Sequence, residues 1–369
     1  MERIYLDANA TTPLDPRVRE AMIPWLDAGN ASSPHAEGRA ARAAIDEARE
    51  KVAMMIGAHP REVIFTGGAT ESNALALLGT IAAYDVRHTA CTAIEHPAVL
   101  RTLESSGTKL SLIPVDAQGH VDPAFVVPDD VGLLSVMLAN NETGTILPVS
   151  DLAASTKAIT HCDAVQACGK MAVDVGELGV DLLALSAHKM GGPKGVGALW
   201  VRRGVRIAPL AHGGEHERGL RPGTENVAAI VGLGASAEYA AMEWAQRDAH
   251  WRALSGELIP AIRAVFPDAI INSPDTTRIA NTVSVTFADV EGEAILLGLD
   301  LEGVAVATGS ACSSGAAEAS HVLRALGQSN EQAERSIRIS MHAHTTREEV
   351  ERFLPCLERV VKNLRALAV

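Results

Sequence analysis

Leu182-Leu183-Ala184-Leu185-Ser186-Ala187-His188-Lys189 runs almost directly into Gly191-Gly192-Pro193-Lys194-Gly195, and the chain can be read outward from that junction. The apolar run reads as a buried strand, and the glycines and proline beyond it mark a loop. A lysine delivered at a buried strand end can lose its water. Desolvation lowers the pKa of an amine, and the neutral amine is the form that makes Schiff bases. On an exposed strand the same lysine would be an ordinary solvated charge. Upstream, Asp163 follows His161-Cys162 and precedes Ala164-Val165-Gln166. A Schiff-base lysine with a carboxylate to pair with a pyridinium nitrogen is what pyridoxal phosphate requires. Taken alone, Asp163 would pass for a helix cap or turn residue; Lys189 downstream raises it above that.

The flanking pattern alternates strands with helices. Residues 63–66 (Val-Ile-Phe-Thr) read as a strand entering the loop Gly67-Gly68, followed by a helix over 70–78. Residues 133–138 form a short apolar run, as expected of a strand buried on both faces. A helix opens at Asp151, and 198–201 is another strand. This alternation predicts an α/β fold with a mostly parallel sheet covered on both sides. Residues 227–266 read as a long helical region with breaks, and 282–287 as a strand half exposed to water. Thr345-Thr346-Arg347-Glu348-Glu349 has the N-cap and acidic first turn of a helix start.

Composition narrows the function. The chain has 369 residues, enough for a large core and about two domains. A 47% hydrophobic and 21% charged composition is that of a globular protein and argues against disorder. A formal charge of −13 argues against a broad nucleic-acid footprint, since a polyanion would be repelled. No apolar run reaches membrane-spanning length, and the N-terminus shows no leader pattern, so a cytoplasmic location is expected. Cys91, Cys162, Cys168, Cys312 and Cys356 are odd in number and include no CxxC pair. They fit free thiols in a reducing compartment better than a disulfide framework.

An ordered series of motifs extends over nearly the whole chain. It begins with Tyr5-Leu6-Asp7-Ala8-Asn9-Ala10-Thr11-Thr12-Pro13 and continues with Phe65-Thr66-Gly67-Gly68-Ala69-Thr70-Glu71-Ser72-Asn73. Glu95-His96, Asn140-Asn141-Glu142-Thr143-Gly144 and the Asp163 and Lys189 blocks follow. Arg221-Pro222-Gly223-Thr224-Glu225-Asn226 and Thr308-Gly309-Ser310-Ala311-Cys312-Ser313-Ser314-Gly315 close the series. Together they resemble the cysteine desulfurases of the class V aminotransferase family. The resemblance implies a fold-type I pyridoxal-phosphate transferase: a large domain with a mostly parallel seven-stranded sheet and a small α+β C-terminal domain. It implies residues 15–250 for the large domain. Residues 1–14 would fold back to join 251–369 in the small one, which carries the catalytic cysteine loop.

By the same resemblance, Lys189 holds pyridoxal 5′-phosphate, Asp163 pairs with its ring nitrogen and Gln166 with its phenolic oxygen. His96 stacks on the ring and is a candidate for proton transfer. Asn141 contacts the cofactor and the substrate carboxylate. Ala69, Thr70, Ser186 and His188 take the phosphate, with Thr224 reaching it from the neighbouring subunit of a homodimer. A Gly-rich turn before a helix suits a phosphate in any case, because its free N–H groups and helix dipole face outward. Cys312 lies in a run of Ser and Gly that cannot pack a core. A thiol so placed suits a nucleophile that takes substrate sulfur as a persulfide and passes it to a sulfur-acceptor protein. The expected reaction is removal of sulfur from a small aminothiol, L-cysteine to L-alanine by default.

One stretch departs from the family pattern Arg-x-Ser-x-Gly-Arg-x-Thr-Thr, whose second arginine is expected to grip the substrate carboxylate. Here it reads Arg338-Ile339-Ser340-Met341-His342-Ala343-His344-Thr345-Thr346. Ala343 stands where that arginine is expected, leaving His342 and His344 as candidate substrate contacts. If the segment is extended, they point to opposite sides. The change raises alternatives: weak use of L-cysteine and preference for an aminothiol without the usual α-carboxylate, such as isocysteine or cysteamine, or cleavage of selenocysteine. A different class of reading is a non-catalytic sulfur-relay or scaffold-binding partner.

Overall fold

The structure, a computed structural model, describes residues 3–273, 277–309 and 319–367. Its strands in chain order are β1 (Ile4–Tyr5), β2 (Val63–Thr66), β3 (His88–Thr92), β4 (Lys109–Ile113), β5 (Leu133–Met137), β6 (Ile159–Asp163) and β7 (Leu182–Ser186). They continue with β8 (Gly197–Val201), β9 (Ile270–Ile271), β10 (Thr282–Thr286), β11 (Val304–Ala305), β12 (Ala307–Thr308) and β13 (Ser336–Ser340). The first seven-stranded sheet has the order β2-β8-β7-β6-β5-β3-β4. Its strands from β4 to β7 pair in parallel, and β8 runs antiparallel to both its neighbours. Strands β3, β5 and β7 are buried at every position, as strands covered on both faces are. The α/β fold with a mostly parallel sheet is therefore the observed one.

A second, antiparallel sheet has the order β12-β13-β10-β9. The N-terminal segment joins this region: β1 pairs with β11, and Asp7 bridges to Ser340. Two main apolar cores result. One gathers Phe65, Leu134, Leu183, Leu185 and Leu233 around the large sheet. The other gathers Ile4, Leu6, Val283, Ile337 and Phe353. Helix Val227–Val265 serves both, with Leu233 and Ala237 in the first core and Leu258 and Ile262 in the second.

Three local expectations need correction. The expected breaks are absent: Val227–Val265 is one continuous helix of 39 residues. Gly234 instead lets two helices meet, since a Cβ there would lie 2.6 Å from the Ala48 Cα. The helix read from Asp151 begins two residues earlier, as Val149–Ala154. Strand β10 is buried along its whole length, not half exposed. Its polar positions face hydrogen-bond partners instead of water. Asn272 Nδ2 donates to Ser284 and Thr286 hydroxyls, and Asn9 Nδ2 to that of Thr282.

Candidate active site

The parallel strands of the large sheet deliver chemistry at their carboxyl ends, where open α/β sheets bind ligands. Strand β6 ends on Asp163, β7 leads through the short turn Ala187–Lys189, β5 is followed by Asn140-Asn141, and β3 by Glu95-His96. Asp163 is buried. Its Oδ2 accepts from Asn73 Nδ2 at 2.7 Å and its Oδ1 from the Val165 N–H at 3.0 Å. Half-buried Lys189 has its amine pKa lowered to about 8, chiefly by desolvation and then by the Arg338 charge. Its Nζ donates to the carbonyls of Asn9 (2.5 Å) and Ala10 (2.8 Å). Gln166 is buried, with Nε2 donating to Asn9 O and Oε1 accepting from Lys170.

His96 caps helix Pro97–Ser105, accepting the Ala98 N–H on Nδ1 at 3.1 Å. Though solvent-accessible, it sits where surrounding protein desolvates it, and this lowers its pKa against the pull of Asp163. Because Nδ1 accepts that N–H, the neutral ring carries its proton on Nε2, where it is able to stack or to donate a hydrogen bond. Glu95 beside it is buried and pushed up to about 8 by desolvation. One of its oxygens holds the Thr92 hydroxyl and the Met137 N–H.

The Gly67-Gly68-Ala69-Thr70 loop opens helix Ala69–Tyr84, whose N-terminus has no side-chain cap. Its first-turn N–H groups therefore lack intrahelical or capping acceptors. Gly68 has φ 146°, a backbone that side chains avoid, and a Cβ there would meet open space. Thr70 is exposed at the loop and Ser186 is buried at the end of β7. The His188 pKa falls to about 4 through desolvation and the Lys189 charge, so the ring meets Thr11 Oγ1 (3.2 Å) as a neutral group. Beside this loop is a cavity of about 340 Å³ lined by Thr66, Gly67, Gly195, Arg221 and Gly223. Arg221 is held by Glu71 at 2.9 Å, and Thr224 is exposed at the same bend.

These residues fit pyridoxal phosphate. An uncapped helix N-terminus over open space suits its phosphate, a buried carboxylate its pyridinium, and a desolvated amine its aldehyde. Asn141 Oδ1 is also buried without a hydrogen-bond partner among the described residues, which leaves it free to contact a ligand.

At the other end, residues 342–345 form a turn and are not extended. Accordingly His342 and His344 do not face opposite sides. Their rings lie 6.2 Å apart, His342 Nδ1 accepts the His344 N–H, and His342 also packs on Tyr5. With Ala343 they share a cavity of about 420 Å³ with Lys189, Thr12 and Trp251. Burial lowers the His342 pKa, so it supplies no charge there. Sequence reading did not mark Arg338, a buried cation whose charge is felt at Lys189. It lies buried on β13, with one terminal nitrogen on Asp7 Oδ1 (2.8 Å), the other on Asn141 O (3.1 Å), and a buried Nε without a partner among the described residues. Also missed were Asn73, which orients Asp163, and Asn9, on which several site residues converge. Both sat inside quoted motifs, but nothing local marked them. Cys312 lies outside the described residues. Cys91, Cys162 and Cys168 are buried with their thiol pKa values raised by desolvation, which makes them unreactive.

The sheet and site together define a pyridoxal-phosphate enzyme of the aminotransferase type. The Aminotransferase class-V family pattern matches residues 4–353. Cysteine desulfurase IscS of Dictyoglomus turgidum is 46% identical over 378 residues, covering 99% of this chain and 96% of the relative. A solved structure titled NifS-like protein superposes with a TM-score of 0.92 at 38% identity, over 98% of this chain and all of its own. Another, SspA in complex with cysteine, gives a TM-score of 0.79 at 33% identity, over 93% of this chain and 100% of that one. The chain belongs to the cysteine desulfurases of the class V aminotransferase family. It is an enzyme with pyridoxal 5′-phosphate as cofactor and cysteine desulfurase activity. The isocysteine, cysteamine, selenocysteine and non-catalytic alternatives raised by Ala343 are not favoured by these relatives.

Proposed function

We propose that the enzyme converts L-cysteine to L-alanine, gripping the substrate carboxylate with Arg338 and delivering the sulfur to Cys312. The observation that carries this is the placement of Arg338, whose guanidinium is buried at Asn141 and whose charge is felt at Lys189. Ala343 then removes nothing essential. Bound pyridoxal phosphate supplies an aldehyde for the substrate amine and an electron sink that loosens bonds at the α-carbon and then the C–S bond. Asp163, aligned by Asn73, would pair with the cofactor's ring nitrogen. Lys189, whose desolvated amine has a pKa lowered to about 8, is placed to move the α-proton at its Nζ. His96, with its proton on Nε2 because Nδ1 accepts the Ala98 N–H, is placed to donate to the substrate. Gln166 would hold the cofactor's phenolic oxygen, and Ala69, Thr70, Ser186 and His188 its phosphate.

The Cys312 thiolate attacks the substrate sulfur: one S–S bond forms, the C–S bond breaks, and its electron pair leaves with carbon, which a proton converts to alanine. No external oxidant is needed. The reading includes a homodimer completed by Thr224, a sulfur-acceptor protein and a cytoplasmic setting. It also divides the chain into 15–250 and 1–14 with 251–369, as the shared core of Ile4, Leu6 and Val283 supports. The experiment is mass spectrometry after L-cysteine addition. One extra sulfur should appear on Cys312 with stoichiometric alanine, and Cys312→Ala should keep its bound cofactor yet gain none. Wild-type sulfide release by Cys312→Ala would rule the acceptor role out.

A further inference from the structure

Lys170 is a lysine that the reaction does not use, yet it is only 3% exposed and lies beside the site. Its Nζ donates to Gln166 Oε1 (2.5 Å) and Asn9 Oδ1 (2.8 Å). Among the described residues no carboxylate forms an ion pair with it. The charges that face it are the cations Lys189 and Arg338, and Arg338 is itself taken by Asp7. Two acceptors satisfy the two N–H groups of a neutral amine, whereas an ammonium would leave a third donor unmet in a buried place. Burial and the two cations hold its pKa well below the usual lysine range, consistent with that count.

We propose that Lys170 is a positioning residue that locks the Gln166 amide so that only N–H groups, and no side-chain oxygen, are turned toward the Lys189 amine. A donor at Oε1 decides which end of the amide faces which way. Nε2 is thereby directed at Asn9 O (3.0 Å), the same oxygen that Lys189 Nζ reaches at 2.5 Å. Asn9 cannot follow a shift easily. Its N–H is on Ser340 Oγ, its Nδ2 on Asn141 O and Thr282 Oγ1, and its Oδ1 also accepts from Asn281. Gln166 thus competes with Lys189 for one acceptor and offers it none. With Lys170 removed, the amide is free to rotate and place Oε1 toward Lys189, where it would stabilise the ammonium. The inference rests on Lys189 being the cofactor-bearing lysine.

The test measures Lys189 protonation directly. Full-length protein stripped of cofactor is labelled with acetic anhydride from neutral to alkaline pH, and Lys189 is quantified by mass spectrometry against exposed Lys362. The holoenzyme's visible absorption is titrated in parallel. Lys170→Met and Gln166→Leu should each raise the labelling midpoint by about one pH unit, a tenfold tighter hold on the proton. Lys170→Arg keeps a donor on both acceptors and should not raise it. An unchanged midpoint in folded Lys170→Met, or in Gln166→Leu if the former does not fold, overturns the proposal. An equal rise in Lys170→Arg also overturns it, because general packing damage would then explain the shift. Borohydride reduction of the holoenzyme separates the two readings. Cofactor fixed on Lys189 with an unmoved midpoint defeats only the Lys170 role, whereas cofactor on another lysine defeats the functional assignment.

Discussion

Replacing Arg338 with glutamine removes the cation proposed to hold the substrate carboxylate while keeping a polar side chain. A charge-assisted contact of this kind is worth about 1.5–3 kcal/mol. At roughly 1.4 kcal/mol per factor of ten, kcat/KM for L-cysteine should fall about tenfold to a hundredfold. The structure supplies a complication: Arg338 also neutralises Asp7 at 2.8 Å, and the variant leaves that carboxylate unpaired. Pairing Arg338→Gln with Asp7→Asn removes the stranded charge and isolates the carboxylate contact. The assay compares kcat/KM for L-cysteine and for cysteamine, which has the amine and thiol but no carboxylate. Only L-cysteine should lose efficiency in the double variant, and Ala343→Arg should leave the ratio of the two near its wild-type value. Equal losses on both substrates would show Arg338 to be structural. A large gain for L-cysteine in Ala343→Arg would return the carboxylate to the turn at residue 343.

Two further outcomes follow from the packing and the charges. In the cofactor-free protein, the Lys189 amine at about 8 lies below its unperturbed value of 10.5, so between those values the unfolded chain binds more protons than the folded one. Stability from this group should therefore rise with pH across that window and be lowest below it, and Lys189→Met should flatten that part of a denaturant-midpoint-versus-pH curve. Gly234→Leu would drive a side chain into the Ala48 backbone, where a Cβ already stands at 2.6 Å. It should lower unfolding free energy by about 1–3 kcal/mol, measured by urea titration, while Gly256→Ala on the same helix, where a Cβ meets open space, should not.

Strands β2, β5, β7 and β8 and the strand-end residues were legible because each depends on local sequence, whereas β3, β4 and β6 carry no continuous apolar run. Continuous apolar runs gave the buried strands, and Lys189, Asp163 and Gly68 sit where strands meet loops. What was not legible depends on contacts distant in the chain. Strand β10 has the alternation of a half-wet strand, and only Asn272 and Asn9 reveal that its polar face is buried. The same applies to Arg338, whose placement comes from β13 pairing with β10 and from the N-terminal segment bringing in Asp7. Reading the residues around Ala343 as extended missed the turn closed by the Thr345 hydroxyl on the His342 N–H. Gln166 was legible as a site residue, but its lock by Lys170, four positions on, was not.

The central claim is that Lys189 carries the cofactor, with Asp163 as the ring's counter-charge. Borohydride reduction of the purified holoenzyme followed by peptide mapping tests it most directly. The pyridoxyl adduct is expected on the peptide containing Lys189, and Asp163→Asn should keep that attachment while shifting the bound cofactor's absorption. Recovery of the adduct on Lys170, Lys194 or any other lysine would contradict the account.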